Sequence, residues 1–265
     1  MIIDSHEHII LPVENQVKKL EQAGVDKAIL FSTTPHPEKV HNYEELKEEM
    51  GILYKILAGA NTKEANIQRM KAGNKELIKS IKAYPDKFYG FGAVPLGLTV
   101  NETKEWIEKD IIANDLKGIG EFTPGSDSQI EQLEPVFQAL EDFPQLPIWV
   151  HTFNPVTVNG LQILMSLAQK YPNVFIIFGH MGGYSWQILL DFAKVSKNVH
   201  IDTSATFSTL AAQMAISEFP DRCLFSSDAP YGEPLLNKQL IEFISPSKEI
   251  AKMVLGENIA KLLNL

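Results

Sequence analysis

The sequence predicts an α/β protein built as a distorted (β/α)8 TIM barrel, and three observations indicate this class. Short apolar runs rich in β-branched and aromatic residues alternate with amphipathic helical segments almost to the end of the 265 residues. Eight such strand–helix repeats fit a barrel better than a doubly wound sheet. The first strand leads into Asp-Ser-His-Glu-His, whereas a dinucleotide-binding fold requires G-x-G-x-x-G there.

The strands are expected at eight places, in chain order about 1–6, 27–33, 88–95, 116–122, 147–152, 174–180, 198–204 and 223–228. Amphipathic patterns predict the intervening helices, at 13–23, 103–113, 130–140, 161–168, 186–195, 210–219 and 235–243. One repeat is irregular, because residues 35–86 carry two long helical patterns between strands two and three. We interpret this segment as a helical insertion that serves as a lid or an oligomer contact. No linker interrupts the pattern, so a single domain over 1–265 is expected.

Composition excludes several classes of function. The 24 basic and 33 acidic residues give a net charge of -9, which argues against nucleic acid or an anionic membrane as a partner. Cys223 is the only cysteine, so the chain forms no internal disulfide. No apolar run approaches the length of a membrane helix and no leader pattern stands at the start, so we expect a cytoplasmic protein. A small-molecule substrate is the expected partner, and such barrels often pair as homodimers.

Polar side chains follow six of the predicted strands, at the end where barrel enzymes carry their chemistry. Each has an ordinary explanation alone: His-x-His arises by chance, a histidine after a strand is often only buried, and aspartate caps turns. Together they predict a metal centre, because burying so many ionisable groups is costly unless they pair or bind a cation. In chain order they are His6 and His8, Glu121, His151, His180, Asp202 with Ser204, and Asp228.

The choice of metal and the roles of three neighbouring polar residues refine this prediction. Imidazole nitrogens and carboxylate oxygens without a thiolate favour Zn²⁺, with Mn²⁺, Fe²⁺, Co²⁺ or Ni²⁺ as alternatives. Strand alternation puts Asp4 on the same face as His6 and His8, so Asp4 is expected to orient a ligand imidazole, or else to hold backbone in the barrel floor. Asp202 and Ser204 either line the pocket or satisfy nearby backbone groups.

The order His-x-His, His, His and Asp on strands one, five, six and eight resembles the amidohydrolase superfamily. Asp-x-His-x-His at the start, Gly-His-Met-Gly-Gly at 179–183 and Leu-Gly-Glu-Asn at 255–258 resemble its amidohydrolase-2 branch, which includes aminocarboxymuconate-semialdehyde decarboxylase. The resemblance implies a distorted barrel with a catalytic metal. It makes His6, His8, His151 and Asp228 ligands, and His180 the histidine that orients the metal-bound water or the substrate.

Glu121 departs from this pattern, because many superfamily members carry a lysine at the end of strand four. A glutamate there resembles the bridging carboxylate of phosphotriesterase- or TatD-like sites with two ions. The branch resemblance favours one ion over two, with Glu121 as a ligand or as a hydrogen-bond acceptor behind the ligands.

Hydrolysis is the function expected first: a metal-activated water cleaves a C–N or C–O bond of an amide, cyclic amide, ester or lactone. Asp228 then moves the proton, while His151 and His180 polarise the carbonyl. Non-oxidative decarboxylation of a small carboxylated substrate ranks second. The chain has only two arginines, Arg69 and Arg222, and neither follows a predicted strand, so little is available to grip a carboxylate. A barrel that binds metal and ligand without turnover is the third hypothesis.

Overall fold

Eight parallel strands form one sheet that curls into a barrel in this computed structural model, which describes residues 1–59 and 62–265. Each strand pairs with the next along the chain. The predicted (β/α)8 barrel is therefore confirmed. The strands are β1 (Ile3–His8), β2 (Lys27–Phe31), β3 (Phe88–Gly92), β4 (Gly118–Phe122), β5 (Ile148–His151), β6 (Ile176–Gly179), β7 (Val199–Asp202) and β8 (Cys223–Leu224).

Backbone hydrogen bonds between β1 and the residues after β8 close the barrel. The N–H of Ser5 donates to the carbonyl of Phe225 at 2.9 Å, and the N–H of Asp228 donates to the carbonyl of His6 at 2.8 Å. The eighth strand was expected to reach residue 228, but its regular part ends at Leu224. The closure instead holds Asp228 directly against the end of β1.

The helices alternate with the strands, and most begin at a Ser, Thr or Asn whose side chain caps the first turn. The helix expected at 130–140 is two helices, because Pro135 lacks an N–H and is accommodated only in the first turn of a new helix. The helices are α1 (Val13–Ala23), α2 (Tyr43–Leu57), α3 (Lys63–Ala83), α4 (Val100–Trp106), α5 (Asp127–Glu131), α6 (Glu134–Leu140), α7 (Val158–Lys170), α8 (Trp186–Val195), α9 (Thr209–Glu218), α10 (Pro234–Ile244), α11 (Lys248–Lys252) and α12 (Asn258–Leu263).

The predicted insertion after β2 consists of α2 and α3, and its residues 60 and 61 lie outside the described residues. Asn74 fixes α3 to the barrel, because its side-chain amide donates to the carbonyl of Ala93 at 2.9 Å and its Oδ1 accepts the Ala93 N–H at 2.8 Å. Apolar side chains of both helices face the same cavity as the strand ends. This arrangement corresponds to the lid alternative.

The apolar core has two parts. One fills the space between the strands and the outer helices. The other lies inside the barrel, where Phe31, Phe91 and Trp149 are fully buried and Ile259 and Leu263 of α12 close the end opposite the strand carboxyl ends. The barrel is therefore packed with apolar side chains from below, and the clustered ionisable groups lie at its mouth.

Bulges interrupt the alternation of side chains on two strands. On β1, Asp4 lies opposite Ala28 of β2 and Glu7 opposite Leu30, so three steps face two. On β4, Ile119 lies opposite Ile148 of β5 and Phe122 opposite Val150, again three steps against two. Such bulges re-aim the side chains next to them and are common near active sites. Among the described helices, none is long and apolar enough to cross a membrane.

Candidate metal centre

Six of the predicted site residues meet at the mouth of the barrel. Two of them lie on β1, and each of the other four lies at or just after the end of a different strand. Every one has a ring nitrogen or carboxylate oxygen within 4.0 Å of another member. They form the mouth cluster, which consists of His6, His8, Glu121, His151, His180 and Asp228.

The two bulges bring three of these side chains inward. The His6 ring packs with its centroid 4.6 Å from that of Phe31 and 4.9 Å from that of Trp149, both inside the barrel. On β4, Ile119 and Phe122 pack outside against the helices, while Glu121 between them reaches the interior. A regular strand would put Ile119 and Glu121 on the same face. The bulge on β4 is therefore what places the carboxylate of Glu121 in the cluster.

The bulge on β1 makes the expectation for Asp4 wrong. Asp4 lies on the outer side with Glu7, and its Oδ1 accepts the N–H groups of His6 at 3.2 Å and Ser227 at 2.9 Å. It therefore fixes backbone between β1 and the loop after β8, as in the alternative role, and contacts no imidazole among the described residues. Burial raises the pKa of Asp4 to about 6 and that of Glu7 well above its usual range. The two carboxyls are thus stable together only while one carries a proton.

Glu121 occupies the middle of the cluster. Its Oε1 lies 3.2 Å from both His151 Nδ1 and His180 Nε2. Its Oε2 lies 3.7 Å from His6 Nε2 and 3.8 Å from His8 Nε2. One carboxylate thus faces two separate pairs of histidines, one pair through each oxygen.

Burial and charge act in opposite directions on the groups of the cluster. Burial raises the pKa of Glu121, but the charge of His6 and hydrogen bonds from His151 and His180 outweigh it and hold that pKa well below its usual range. Burial lowers the pKa of His6, but the nearby carboxylates, Glu121 first, raise it to about 9. The buried carboxylate of Glu121 is therefore ionised and requires positive charge beside it.

The atoms around His6 fit one divalent cation. Asp228 Oδ1 lies 3.3 Å from His8 Nε2 and 3.8 Å from His6 Nε2, and Glu121 Oε2 completes the set. Two ligands at about 2.1 Å from a tetrahedral ion are about 3.4 Å apart, which matches this spacing. Asp228 Oδ1 and His6 Nε2 are also buried without a hydrogen-bond partner among the described residues. A cation would satisfy both atoms.

Asp202 and Ser204 lie beneath the cluster and orient His180. Asp202 Oδ2 accepts the N–H of His180 at 2.7 Å and the hydroxyl proton of Ser204 at 2.5 Å. Because Ser204 has only one hydroxyl proton, its oxygen must accept from His180 Nδ1, which lies 2.8 Å away. His180 Nε2 then faces Glu121 Oε1 at 3.2 Å. Of the two predicted roles, holding neighbouring groups fits these two residues better than lining the cavity.

The loop that carries His180 depends on glycine. His180 itself has φ +60° and Gly183 has φ +53° with ψ -127°, a combination that residues with a Cβ rarely adopt. A Cβ on Gly183 would lie 2.0 Å from Cδ2 of Phe153. Asp228 is also left-handed, with φ +58°. Backbone of this kind persists where the surrounding structure enforces it, and it is concentrated at functional sites.

A cavity of about 150 Å³ opens above the cluster. The barrel supplies Tyr231 and five cluster members, and the insertion supplies apolar side chains together with Arg69 of α3. The Arg69 guanidinium donates to Thr34 Oγ1 and Asn66 Oδ1, both at 3.4 Å, and its Nε is buried without a partner. Among the described residues, no carboxylate lies within 4.0 Å of it. Its charge thus faces the cavity without a counterion.

Sequence reasoning missed Arg69 as a pocket residue. The argument from strand ends is correct for the strands themselves, but the insertion carries this arginine over the mouth. A signal was present in the composition of α3, whose other basic residues are all lysine. Arginine is the residue that a carboxylate-binding position favours over lysine, because its planar fork matches the two oxygens.

An eight-stranded parallel barrel with an imidazole–carboxylate cluster at its mouth defines a class of metal-dependent barrel proteins. A sequence model described as amidohydrolase (Amidohydro_2) matches residues 3–265. The chain therefore belongs to the amidohydrolase family, whose enzymes are metal-dependent. This confirms the resemblance drawn from the sequence motifs. None of the curated protein sequences matches the chain.

Solved structures of similar fold cover the whole barrel. One is a 5-carboxyvanillate decarboxylase from Sphingomonas paucimobilis, 16% identical, with TM-score 0.72, covering 100% of this chain and 99% of that one. A second is a dihydroxybenzoic acid decarboxylase from Polaromonas sp. JS666 with bound manganese and the inhibitor 2-nitroresorcinol, 19% identical, with TM-score 0.69 and coverage of 100% and 97%. A third is a 4-oxalomesaconate hydratase from Rhodopseudomonas palustris, 14% identical, with TM-score 0.68 and coverage of 100% and 96%. At these identities the likeness shows the fold.

Proposed function

We propose that the protein is a metal-dependent hydrolase that cleaves a C–N or C–O bond of a small molecule bearing a carboxylate. The observation that carries this proposal is the different chemistry of the two sides of the cavity. The barrel side presents imidazoles and two carboxylates, and the insertion side presents the guanidinium of Arg69. A substrate with a carboxylate and a separate carbonyl group suits both sides at once.

His6, His8, Glu121 and Asp228 would hold the metal, with Zn²⁺ expected first and Mn²⁺, Fe²⁺, Co²⁺ or Ni²⁺ as alternatives. When bound there, such an ion supplies a water of lowered pKa and polarises a carbonyl oxygen. The manganese of the Polaromonas structure belongs to a similar fold and supports a divalent ion at this mouth.

Asp228 is the residue proposed to move the proton. Its Oδ1 has no hydrogen-bond partner among the described residues, and Asp228 lines the cavity. It would accept the proton of the attacking water and pass it to the leaving nitrogen or oxygen. His180, fixed in one orientation through Ser204, and His151 lie where they can support the developing negative charge on the carbonyl oxygen. Apolar residues of the insertion would keep bulk water out.

Hydrolysis ranks first because of charge. Glu121 and Asp228 together carry two negative charges beside the reacting position, as much as one divalent ion offsets. A neutral carbonyl enters such a position more readily than a third carboxylate, which is repelled by both neighbours. The substrate carboxylate is better placed beside Arg69, away from the reacting atoms.

Decarboxylation of a small carboxylated substrate is the second candidate. Arg69 removes the main objection to it, because the cavity does contain a group able to hold a carboxylate. Two of the similar structures are decarboxylases, and their activities support this candidate. Asp228 would then deliver its proton to the carbon that loses carbon dioxide.

A substrate panel on the metal-loaded enzyme tests the proposal. Small lactones, esters and cyclic amides are assayed with and without a carboxylate, beside aromatic and unsaturated acids monitored for carbon dioxide. We expect hydrolysis of carboxylated members without release of carbon dioxide. Carbon dioxide as the sole product would establish the second candidate instead. No turnover anywhere in the panel would favour the barrel that binds without catalysis.

The Arg69→Ala variant tests how the carboxylate is held. Charge-assisted hydrogen bonds contribute about 1.5–3 kcal/mol, so kcat/KM for carboxylated substrates should fall about 10- to 150-fold. Neutral analogues should be cleaved almost as before. Lys75→Ala is the matched control, since Lys75 is an exposed cation of the same helix. An equal loss with neutral and carboxylated substrates would exclude Arg69 as the carboxylate anchor.

A further inference from the structure

We propose that the end of the barrel opposite the mouth binds a small organic anion, an apolar body that bears a carboxylate or a phosphate. The site is the lower groove, a depression of about 810 Å³ beside β7 and α12. The inference goes beyond the proposed function, because Ile259 and Leu263 of α12 close the barrel here and separate the groove from the mouth. The residues that define the groove are Phe175, Lys194, Lys197, His200, Arg222 and Lys261.

The position of the lower groove follows from the direction of the strands. Several of its residues stand in connections that lead from a helix into the next strand. Phe175 precedes β6, Lys197 precedes β7 and Arg222 precedes β8. In a parallel barrel such connections lie at the end opposite the mouth. Sites for small molecules usually have volumes of about 300–1,000 Å³, and the groove falls within this range.

Positive charge is in excess in the lower groove, although the chain carries a net charge of -9. Four cations line it against two carboxylates, those of Glu218 and Asp221. Among the described residues, no carboxylate lies within 4.0 Å of Lys197, Arg222 or Lys261. An anion is therefore attracted to the groove and finds three cations that are available to pair with it.

Arg222 is held in the groove as a fixed cation. It is nine-tenths buried, its Nη1 donates to the carbonyl oxygen of Ser196 at 2.8 Å, and its guanidinium lies 4.6 Å from the centroid of the Phe219 ring. A guanidinium has several N–H donors, and the others have no hydrogen-bond partner among the described residues. Its planar fork is therefore free to bind two oxygens of one carboxylate or phosphate.

His200 supplies a second polar group that lacks a partner. Its ring lines the groove, and its Nδ1 is buried without a hydrogen-bond partner among the described residues. Burial lowers the pKa of His200 to about 4, and the charge of Arg222 acts in the same direction, so the ring is neutral. An N–H buried without an acceptor is rarer than an acceptor buried without a donor, which puts the ring proton on Nε2. That N–H is a donor available to an anion in the groove.

Apolar side chains of the same groove indicate that the anion has an organic body. Phe175 is 39% exposed, and its ring centroid lies 5.8 Å from that of His200. Phe219 and Leu262 add further apolar surface. Apolar walls with a few polar groups that fix orientation are typical of sites for small organic ligands. An inorganic ion alone would leave this surface uncovered.

Nitrogen NMR of the Zn²⁺-loaded protein with isotope-labelled histidines tests the inference. The probes are benzoate, phenyl phosphate, the neutral benzamide and inorganic phosphate, and the His200 signals are assigned from their absence in His200→Gln. We expect saturable shifts of the His200 signals with benzoate or phenyl phosphate, and binding of benzamide and inorganic phosphate that is weaker by about 10-fold or more. The organic anion that binds more tightly identifies the anionic group.

The other histidines separate this site from the mouth. Shifts of His151 and His180 report any probe that binds at the mouth cluster. The signals of His41 should not move, because this exposed histidine lies outside both the groove and the cluster.

Variants assign the binding to the cations of the groove. Arg222→Gln should weaken the binding of both organic anions about 10-fold or more. Lys197→Gln and Lys261→Gln, at exposed positions, should weaken it about 2- to 5-fold each. Lys75→Gln is the matched control, since Lys75 is an exposed cation of α3 outside the groove. Each variant is first compared with the wild type by circular dichroism, and the two lysine variants carry the test if Arg222→Gln does not fold.

His200 signals that respond equally to benzamide and benzoate would overturn the inference, because the anionic group would then contribute nothing. So would the absence of any His200 shift with all four probes up to their solubility limits, or inorganic phosphate that binds as tightly as phenyl phosphate. Unchanged affinity in both lysine variants would also overturn it. No step measures turnover, so failure of the proposed hydrolysis would leave the result unaffected.

Discussion

Removal of the metal is expected to lower the melting temperature of the protein by about 5–10 °C. In the metal-free protein, His6 Nε2 and Asp228 Oδ1 are buried without hydrogen-bond partners among the described residues. Each such atom costs about 1–3 kcal/mol. Binding at a hundred times the dissociation constant contributes about 2.7 kcal/mol to the free energy of unfolding, within the range set by these two atoms. At roughly 2–4 °C per kcal/mol for a chain of this size, about 2.7 kcal/mol corresponds to the expected shift of about 5–10 °C.

Differential scanning calorimetry of metal-free, Zn²⁺-loaded and Mn²⁺-loaded protein measures the shift in melting temperature. His8→Gln should lose most of it, because His8 Nε2 lies 3.3 Å from Asp228 Oδ1 within the ligand set. His41→Gln should keep all of it. Equal melting temperatures with and without metal would refute the reasoning, as would an undiminished shift in His8→Gln.

Two further predictions concern the groups behind the ligands and the response to pH. In Asp202→Asn the carboxylate that lies 3.7 Å from Nδ1 of the proposed ligand His6 is lost, so affinity for Zn²⁺ should fall about 10- to 100-fold. Competition with a chelating dye measures this, and unchanged affinity would contradict the assigned role. In the metal-free protein, burial lowers the pKa of His6, but the nearby carboxylates outweigh it and raise that pKa from 6.5 to about 9. The stability it contributes is therefore complete below pH 6.5 and lost as the pH rises through 9. Urea unfolding across this range should show the decline in the wild type and a smaller one in His6→Gln. A stability that does not change between pH 6.5 and 9 would exclude this contribution of His6.

The grouping of the site was predictable because it depends on a coarse property of the chain. In a parallel barrel every strand ends on the same side, so a histidine or acid that follows a strand reaches the mouth even when strand bounds shift by several residues. His151, His180 and Asp228 illustrate this, since β5, β6 and β8 all end earlier than the sequence suggested. Their convergence required only the correct order of strands.

The direction of individual side chains was not predictable in the same way, because it changes with a shift of one residue. The bulge on β1 separates Asp4 from the face of His6, and nothing in Met1–His8 marks the extra residue. The extra residue is visible only in the pairing of β1 with β2. Arg69 is missing from the prediction for a related reason: its place depends on how the insertion packs over the mouth, which strand order does not determine.

The same bulges explain why so many ionisable groups meet at this mouth. Without the bulge on β4, Glu121 would share the outer face of Ile119 and would not reach the histidines at the mouth. With it, one carboxylate lies within 3.8 Å of four imidazoles. Because Phe31 and Trp149 pack rigidly beneath His6, the cluster cannot relax by moving downward into the barrel. Its charges must be balanced at the mouth itself, by protons or by cations.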